Sequence, residues 1–327
     1  MSRRFFLLLI FTLSLRLMEK LHTIKAHSAL IFANVLFGIN YSITKDIMPN
    51  HIPPFGLALL RVISGVILFW IISYFMKKEK VAKKDIWHIA LCAFFGVFLN
   101  QVMFLSGLNL STPINASIIM TSNPLVVMIF SAIILHEAIT TRKLSGIIIG
   151  ASGAIILTLF NAQGKLDFGS DTFLGNIFQL INTSSFGLYL VLVKRVMYKY
   201  QGVTVLKWLY VFGFIYIFPV GISEFSAVQW QQIPFDIYLA IAYLLVMITV
   251  VAYFMNMYAL KHVMPSTVST YIYSQPVIAT LFAVITGRDV LTWLEVMASL
   301  LVFAGVYLVS MKQKPVPAMQ TAKKNDK

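Results

Sequence analysis

Amides and phenols recur inside stretches of this sequence that are otherwise apolar. In NIFQLINTSSFGLY, residues 176–189, Gln179, Asn182, Phe186 and Tyr189 follow one another at three or four positions and so share one helical face. Asn34, Gly38 and Tyr41 are spaced likewise, Asn100 and Gln101 sit side by side, and Tyr253 and Asn256 are three apart. Ser122 precedes Pro124, and Tyr271 and Gln275 precede Pro276. Groups of this kind donate and accept hydrogen bonds without carrying charge, which suits a small neutral or zwitterionic solute such as an amino acid. In an apolar setting an amide is costly unless it meets a partner or water. Any one of them is most simply glue between helices, but their convergence makes Asn34, Tyr41, Asn100, Gln101, Ser122, Asn182, Tyr189, Asn256, Tyr271 and Gln275 candidate substrate contacts.

The elements that must carry them are membrane helices. Of 327 residues, 59% are hydrophobic and only 12% charged, too few charges for the surface of a soluble domain of this size. Apolar runs near the ~20 residues needed to span a bilayer are read at 27–45, 55–75, 86–107, 113–135, 144–160, 174–193, 207–222, 237–259, 266–286 and 294–311. The expected fold is therefore an all-α integral membrane protein with ten transmembrane helices. Continuous runs such as SGIIIGASGAIILTLF lack the alternation of a β-barrel strand.

Charge sets an expected orientation. If the first helix starts in the cytoplasm, only Lys165 and Arg288 fall in outer connections, and Lys45 and Arg61 fall within helices. The other Lys and Arg residues lie inside, which predicts a multi-pass protein of the cell membrane with both termini cytoplasmic. The net charge of +14 is spread over loops flanking helices, so membrane lipid is the expected neighbour and nucleic acid is not. Residues 1–26 form an expected cytoplasmic N-terminal segment, either interfacial or the product of a start upstream of a true Met18. Residues 161–173 form a polar linker and 312–327 a basic tail. Cys92 is the single cysteine, which excludes an intrachain disulfide.

The linker divides two similar halves, 27–160 and 174–311. At a constant offset of 152, Pro113, Ser117, Ser122, Pro124, Phe130, Thr140 and Gly153 match Pro265, Ser269, Ser274, Pro276, Phe282, Thr292 and Gly305. FGINYSITK, 37–45, parallels FGLYLVLVK, 186–194. An odd number of helices per half would place the second copy upside down: two inverted five-helix repeats. Pro124 and Pro276 then read as paired kinks in the central helices, since each removes a backbone hydrogen bond.

The pattern resembles the drug/metabolite transporter superfamily, specifically the EamA-like ten-helix transporters. The resemblance rests on FG, Asn40 and Lys45 of the first helix, LLRV around Arg61, NPLVVMIFSAIILHEAIT in the fourth and the glycines of the fifth, and it covers 27–311. The second copy departs from it with Gly287, Arg288 and Asp289, and with Ala298 in place of glycine. The resemblance implies a secondary transporter moving a small metabolite across the cytoplasmic membrane by alternating access, with efflux the expected direction.

The remaining charged candidates are gates or structural groups. Glu137 and Asp289 follow the two prolines at equal distance, Lys45 and Lys194 are a symmetric pair expected to snorkel, and Arg61 needs a partner or water at its depth, where it holds either the fold or a substrate carboxylate. A non-transporting receptor or scaffold would not need paired kinks. An intramembrane enzyme could draw only on Ser152 of GASG, with no histidine in a convincing span to pair with it. Six scattered histidines and the lack of a phosphate loop predict no metal and no cofactor. Oligomeric state is open, with a homodimer compatible.

Overall fold

The structure is a computed structural model that describes the backbone of residues 3–135, 140–160, 165–166 and 170–310. Ten helical stretches follow in order: α1 (Arg3–Ile47), α2 (Pro54–Tyr74), α3 (Lys83–Leu110), α4 (Pro113–Ile134), α5 (Thr141–Leu159), α6 (Asp171–Met197), α7 (Gly202–Ser226), α8 (Phe235–His262), α9 (Pro265–Ile285) and α10 (Trp293–Ser310). Eight contain an apolar stretch long enough to cross a membrane, including His22–Ile47 of α1. In α5 and α10 the apolar parts are shorter, Leu144–Gly153 and Trp293–Gly305, so ten full spans exceed what helix length and composition carry among the described residues. Outward faces present Ile133, Ile148, Leu281 and Leu300, the surface expected against lipid.

Local chemistry sets several boundaries. Pro54, Pro113 and Pro265 stand in the first turns of α2, α4 and α9, where the missing N–H has no intrahelical partner to lose. The Ser170 side chain accepts from Phe173 N and starts α6 three residues before the expected end of the linker. Glu295 Oε2 accepts from Thr292 N at 2.7 Å while Glu295 N donates to Thr292 Oγ1 at 3.3 Å, a reciprocal cap on α10. No backbone break marks the expected boundary at 26: α1 runs through it, because no Gly or Pro occurs between Arg3 and Phe37.

Four of the spans are interrupted, in matching pairs. In α4 the helix stops at Thr121–Ser122 and restarts at Asn123, with Pro124 in the first turn of the new segment. In α9 a 3₁₀ turn at Tyr271–Tyr273 precedes the segment that carries Pro276. The α3 and α8 helices instead widen to π geometry, at Phe94–Leu99 and Leu244–Ala252. Carbonyls in these wide turns take side-chain donors: Phe95 O accepts from Ser185 Oγ at 2.7 Å, and Thr249 O from Tyr210 OH at 3.1 Å. Such bulges and breaks commonly mark functional sites.

Packing exchanges partners between the two halves. The α1 helix lies against α8 and α9, α6 against α3 and α4, α2 against α7, and α5 against α10. Gly305 permits the last approach, since a Cβ there would fall on the backbone of Gly146 and Gly150. Side-chain contacts also fix directions. Asn176, at the start of α6, accepts from Ser111 Oγ at 2.6 Å, and that loop also receives Lys45 from the end of α1. At its other end α6 reaches the close of α8 through Lys194, where His22 of α1 stacks on His262. The α1 and α6 helices therefore run in opposite directions.

Candidate functional site

The two interruptions in α4 and α9 and the two wide turns in α3 and α8 flank one internal cavity of about 60 Å³. At roughly 10–15 Å³ per molecule on the same measure, it has room for a few waters. Its walls come from both halves: Asn34, Phe37, Asn40 and Tyr41 of α1, Asn100, Gln101 and Phe104 of α3, Met120 of α4, Asn182 and Phe186 of α6, Tyr253 and Asn256 of α8, and Val268, Ile272 and Gln275 of α9. Arg61 of α2 completes them.

One hydrogen-bonded chain ties α1 to α9 across this space. Tyr41 OH donates to Gln275 Oε1 at 3.0 Å, Gln275 Nε2 donates to Asn34 Oδ1 at 2.7 Å, and Asn34 Nδ2 donates to Leu30 O at 2.8 Å. A second group joins α6, α3 and α8: Asn182 Nδ2 donates to Asn100 O at 2.8 Å, and Tyr253 OH lies 3.5 Å from Asn100 Oδ1. Among the described residues Gln101, 1% exposed, makes no hydrogen bond through either amide atom, and Asn256 Oδ1 makes none. A buried amide left in this condition is expensive, and such groups are the ones that explain themselves by a bound partner.

Among the described residues Arg61 is the one cationic side chain in the wall, and it is 3% exposed. Its hydrogen bond is long, Nε to Thr249 Oγ1 at 3.5 Å, and the phenols of Tyr210 and Tyr253 are its electrostatic neighbours. Among the described residues the ion pairs are Lys199–Asp85 and Arg288–Asp46, neither of which reaches it.

Seven of the substrate contacts expected from sequence line the cavity: Asn34, Tyr41, Asn100, Gln101, Asn182, Asn256 and Gln275. Three do not. Tyr189 is wedged against Gly96 in the wide turn of α3, with its hydroxyl 3.5 Å from Met257 Sδ. Ser122 turns its hydroxyl onto Ile119 O at 2.6 Å, and the Tyr271 hydroxyl lies 2.7 Å from His27 Nδ1. Periodicity grouped Tyr189 with Asn182 correctly on one face, but that face is wider than the cavity and also packs on α3. Phe104 and Met120 gave no signal in the sequence, because apolar wall residues look like any membrane-helix residue, and Phe37 was marked by the repeated FG but not as a wall residue.

Lys45 and Lys194 do not snorkel. Lys45 Nζ donates to Leu108 O, Asn109 O and Ser111 O at 2.8, 2.8 and 2.9 Å, and Lys194 Nζ to Leu260 O and Val263 O. Each ammonium caps the carbonyl end of the helix that holds a wide turn, where the helix dipole favours positive charge. Asp289 Oδ2 accepts from Ile114 N at 3.2 Å at the start of α4, beside the 2.7 Å Arg288–Asp46 ion pair. Glu137 lies outside the described residues. Among the described residues there is no cluster of His, Cys, Asp or Glu suited to a metal.

Membrane-length helices closed around a cavity walled by amides, phenols and apolar rings define a multi-pass membrane protein. The chain belongs to the EamA-like transporter family, whose profile matches residues 24–159 and 173–311. It is thus a membrane transporter, in a small-molecule and lipid environment. An "Uncharacterized transporter" of Archaeoglobus fulgidus is 25% identical over 300 residues, covering 90% of this chain and 99% of the relative. The "Uncharacterized transporter YetK" of Bacillus subtilis is 21% identical over 299 residues, 91% of this chain and 90% of its own. A named "S-adenosylmethionine/S-adenosylhomocysteine transporter" of Chlamydia muridarum is 24% identical over 132 residues, 40% of this chain and 42% of the relative. A solved structure titled "Crystal structure of protein" shares the fold, with a TM-score of 0.60 at 17% identity, covering 89% of this chain and 96% of that one.

Proposed function

We propose that the protein is a secondary transporter of a small polar metabolite, an amino acid or a close relative, working by alternating access through two inverted five-helix repeats. The supporting observation is the cavity itself: its walls pair α1 with α6, α3 with α8 and α4 with α9, so both halves contribute equivalent helices to one site. Exchanging the conformations of the two halves would open that site to the opposite side. In this reading α5 and α10 complete ten spans, both termini are cytoplasmic, the membrane is the cytoplasmic one and net movement is outward. The substrate contacts are Asn34, Tyr41, Asn100, Gln101, Asn182, Asn256 and Gln275, and the interruptions before Pro124 and Pro276 are the bending points.

Purified protein in proteoliposomes, supplied with amino acids, sugars and nucleosides with and without a proton gradient, tests the proposal. Counterflow of amino acids is expected. Movement of sugars and nucleosides alone would remove the substrate class. Reporter fusions that put the segments after α1 and α6 on the same side of the membrane would remove the inverted arrangement.

A further inference from the structure

Arg61 stands out because, among the described residues, its charge meets no ion-pair partner. A guanidinium offers five donors in a planar fork, and here one donor has a single long contact, to Thr249. Among the described residues no carboxylate lines the cavity to balance it, and the equivalent helix of the other half, α7, supplies no wall residue. Arg61 is thus the one asymmetric element in a site otherwise built in pairs. Taking a cation out of water without a counter-charge is costly, which makes a substrate anion the natural partner.

We infer that Arg61 recognises a single carboxylate on the transported solute, an inference that rests on the transporter reading above. One cation, with no second Lys or Arg in the wall among the described residues, matches one negative charge, which favours a carboxylate over a doubly charged phosphate. Gln101 and Asn256 belong to the same wall, and their side-chain oxygens accept nothing among the described residues, so a modest turn of either amide would offer an acceptor to an N–H or O–H elsewhere on the same molecule. The rings of Phe37, Phe104 and Phe186 border the space that its apolar portion would fill. The solute class is a monocarboxylate with an apolar body and at least one hydrogen-bond donor.

The experiment compares matched pairs on purified wild-type protein: L-leucine with leucinamide, and L-phenylalanine with phenylalaninamide, by thermal stabilisation in detergent and by uptake in proteoliposomes. Each acid is expected to bind roughly 10- to 100-fold more tightly than its amide, the worth of a charge-assisted hydrogen bond. Arg61→Gln is expected to erase that preference, and Arg61→Lys to reduce it by losing the fork while keeping the charge. Because the wild-type pairs carry the result, a misfolded variant does not blur it. Amides binding as well as acids, or no acid binding, overturns the assignment. If solutes without a carboxylate are nevertheless carried, transport stands and only the role of Arg61 falls; if no solute of any class is carried, the transporter reading falls as well.

Discussion

Lys45 and Lys194 perform the same task in opposite halves: each ends the first helix of its half by driving an ammonium into the carbonyl end of another helix, α3 for Lys45 and α8 for Lys194. Those are the two helices with wide turns, so the capped ends belong to the elements with the least regular backbone. A capping charge there fixes where the helix stops and holds the neighbouring loop. Lys45→Met and Lys194→Met should each lower stability by about 1–3 kcal/mol, the cost of leaving buried acceptors unpaired. Thermal unfolding in detergent reads the loss, and two variants as stable as wild type would mean the caps are incidental.

Tyr189 is a packing residue in this geometry, because a Cβ on Gly96 would overlap its ring. Its hydroxyl contact to Met257 sulfur is weak. Tyr189→Phe should leave both stability and transport near wild type, whereas Tyr189→Ala should cost roughly 3–5 kcal/mol, as other large-to-small changes of a buried aromatic do. Transport by the Phe variant in proteoliposomes separates the two roles: a severe loss there would return the hydroxyl to the solute site.

Helix positions and the amide-bearing faces were largely legible from sequence, since apolar runs and three-to-four spacing report them directly. The proline pair located the interruptions of α4 and α9 to within a few residues. The wide turns of α3 and α8 were not legible: FFGVFL and LLVMITVVA contain no breaker beyond Gly96, and their geometry follows from how Ser185, Tyr189 and Tyr210 pack against them. Lysine depth was misjudged for a related reason. Sequence shows that Lys45 and Lys194 lie near helix ends, but not that the carbonyls of α3 and α8 converge on those points.

The Arg288–Asp46 pair joins the end of α1 to the turn between α9 and α10 at 2.7 Å, and both side chains are about one-third exposed, 34% and 30%. At such exposure the ion pair should contribute no more than about 1 kcal/mol and weaken as salt is raised. Its position matters more than its strength, because it lies beside the Asp289–Ile114 contact and ties α1, α4 and α9 at one end of the cavity. Asp46→Arg should increase labelling of a cysteine placed at Phe104, and Asp46→Arg combined with Arg288→Asp should restore protection. Unchanged labelling in the single variant would show that this end is closed by packing alone.

Gln275 joins Tyr41 and Asn34 across the α1–α9 boundary, so its role has two separable parts. One is structural: Gln275→Leu keeps the volume but leaves the Tyr41 hydroxyl and Asn34 Oδ1 without their partner, at about 1–3 kcal/mol. The other is chemical, since the same amide faces the cavity and sits one residue before Pro276, where α9 resumes after its 3₁₀ turn. Gln275→Glu adds a carboxylate to a wall that has none among the described residues and should repel an anionic solute even where the fold survives. Paired measurements of melting temperature and uptake separate these effects: the Leu variant should lose stability and transport together. The Glu variant should lose transport of carboxylates disproportionately, and equal losses of acid and amide uptake would place Gln275 in the scaffold of the cavity instead of its recognising surface.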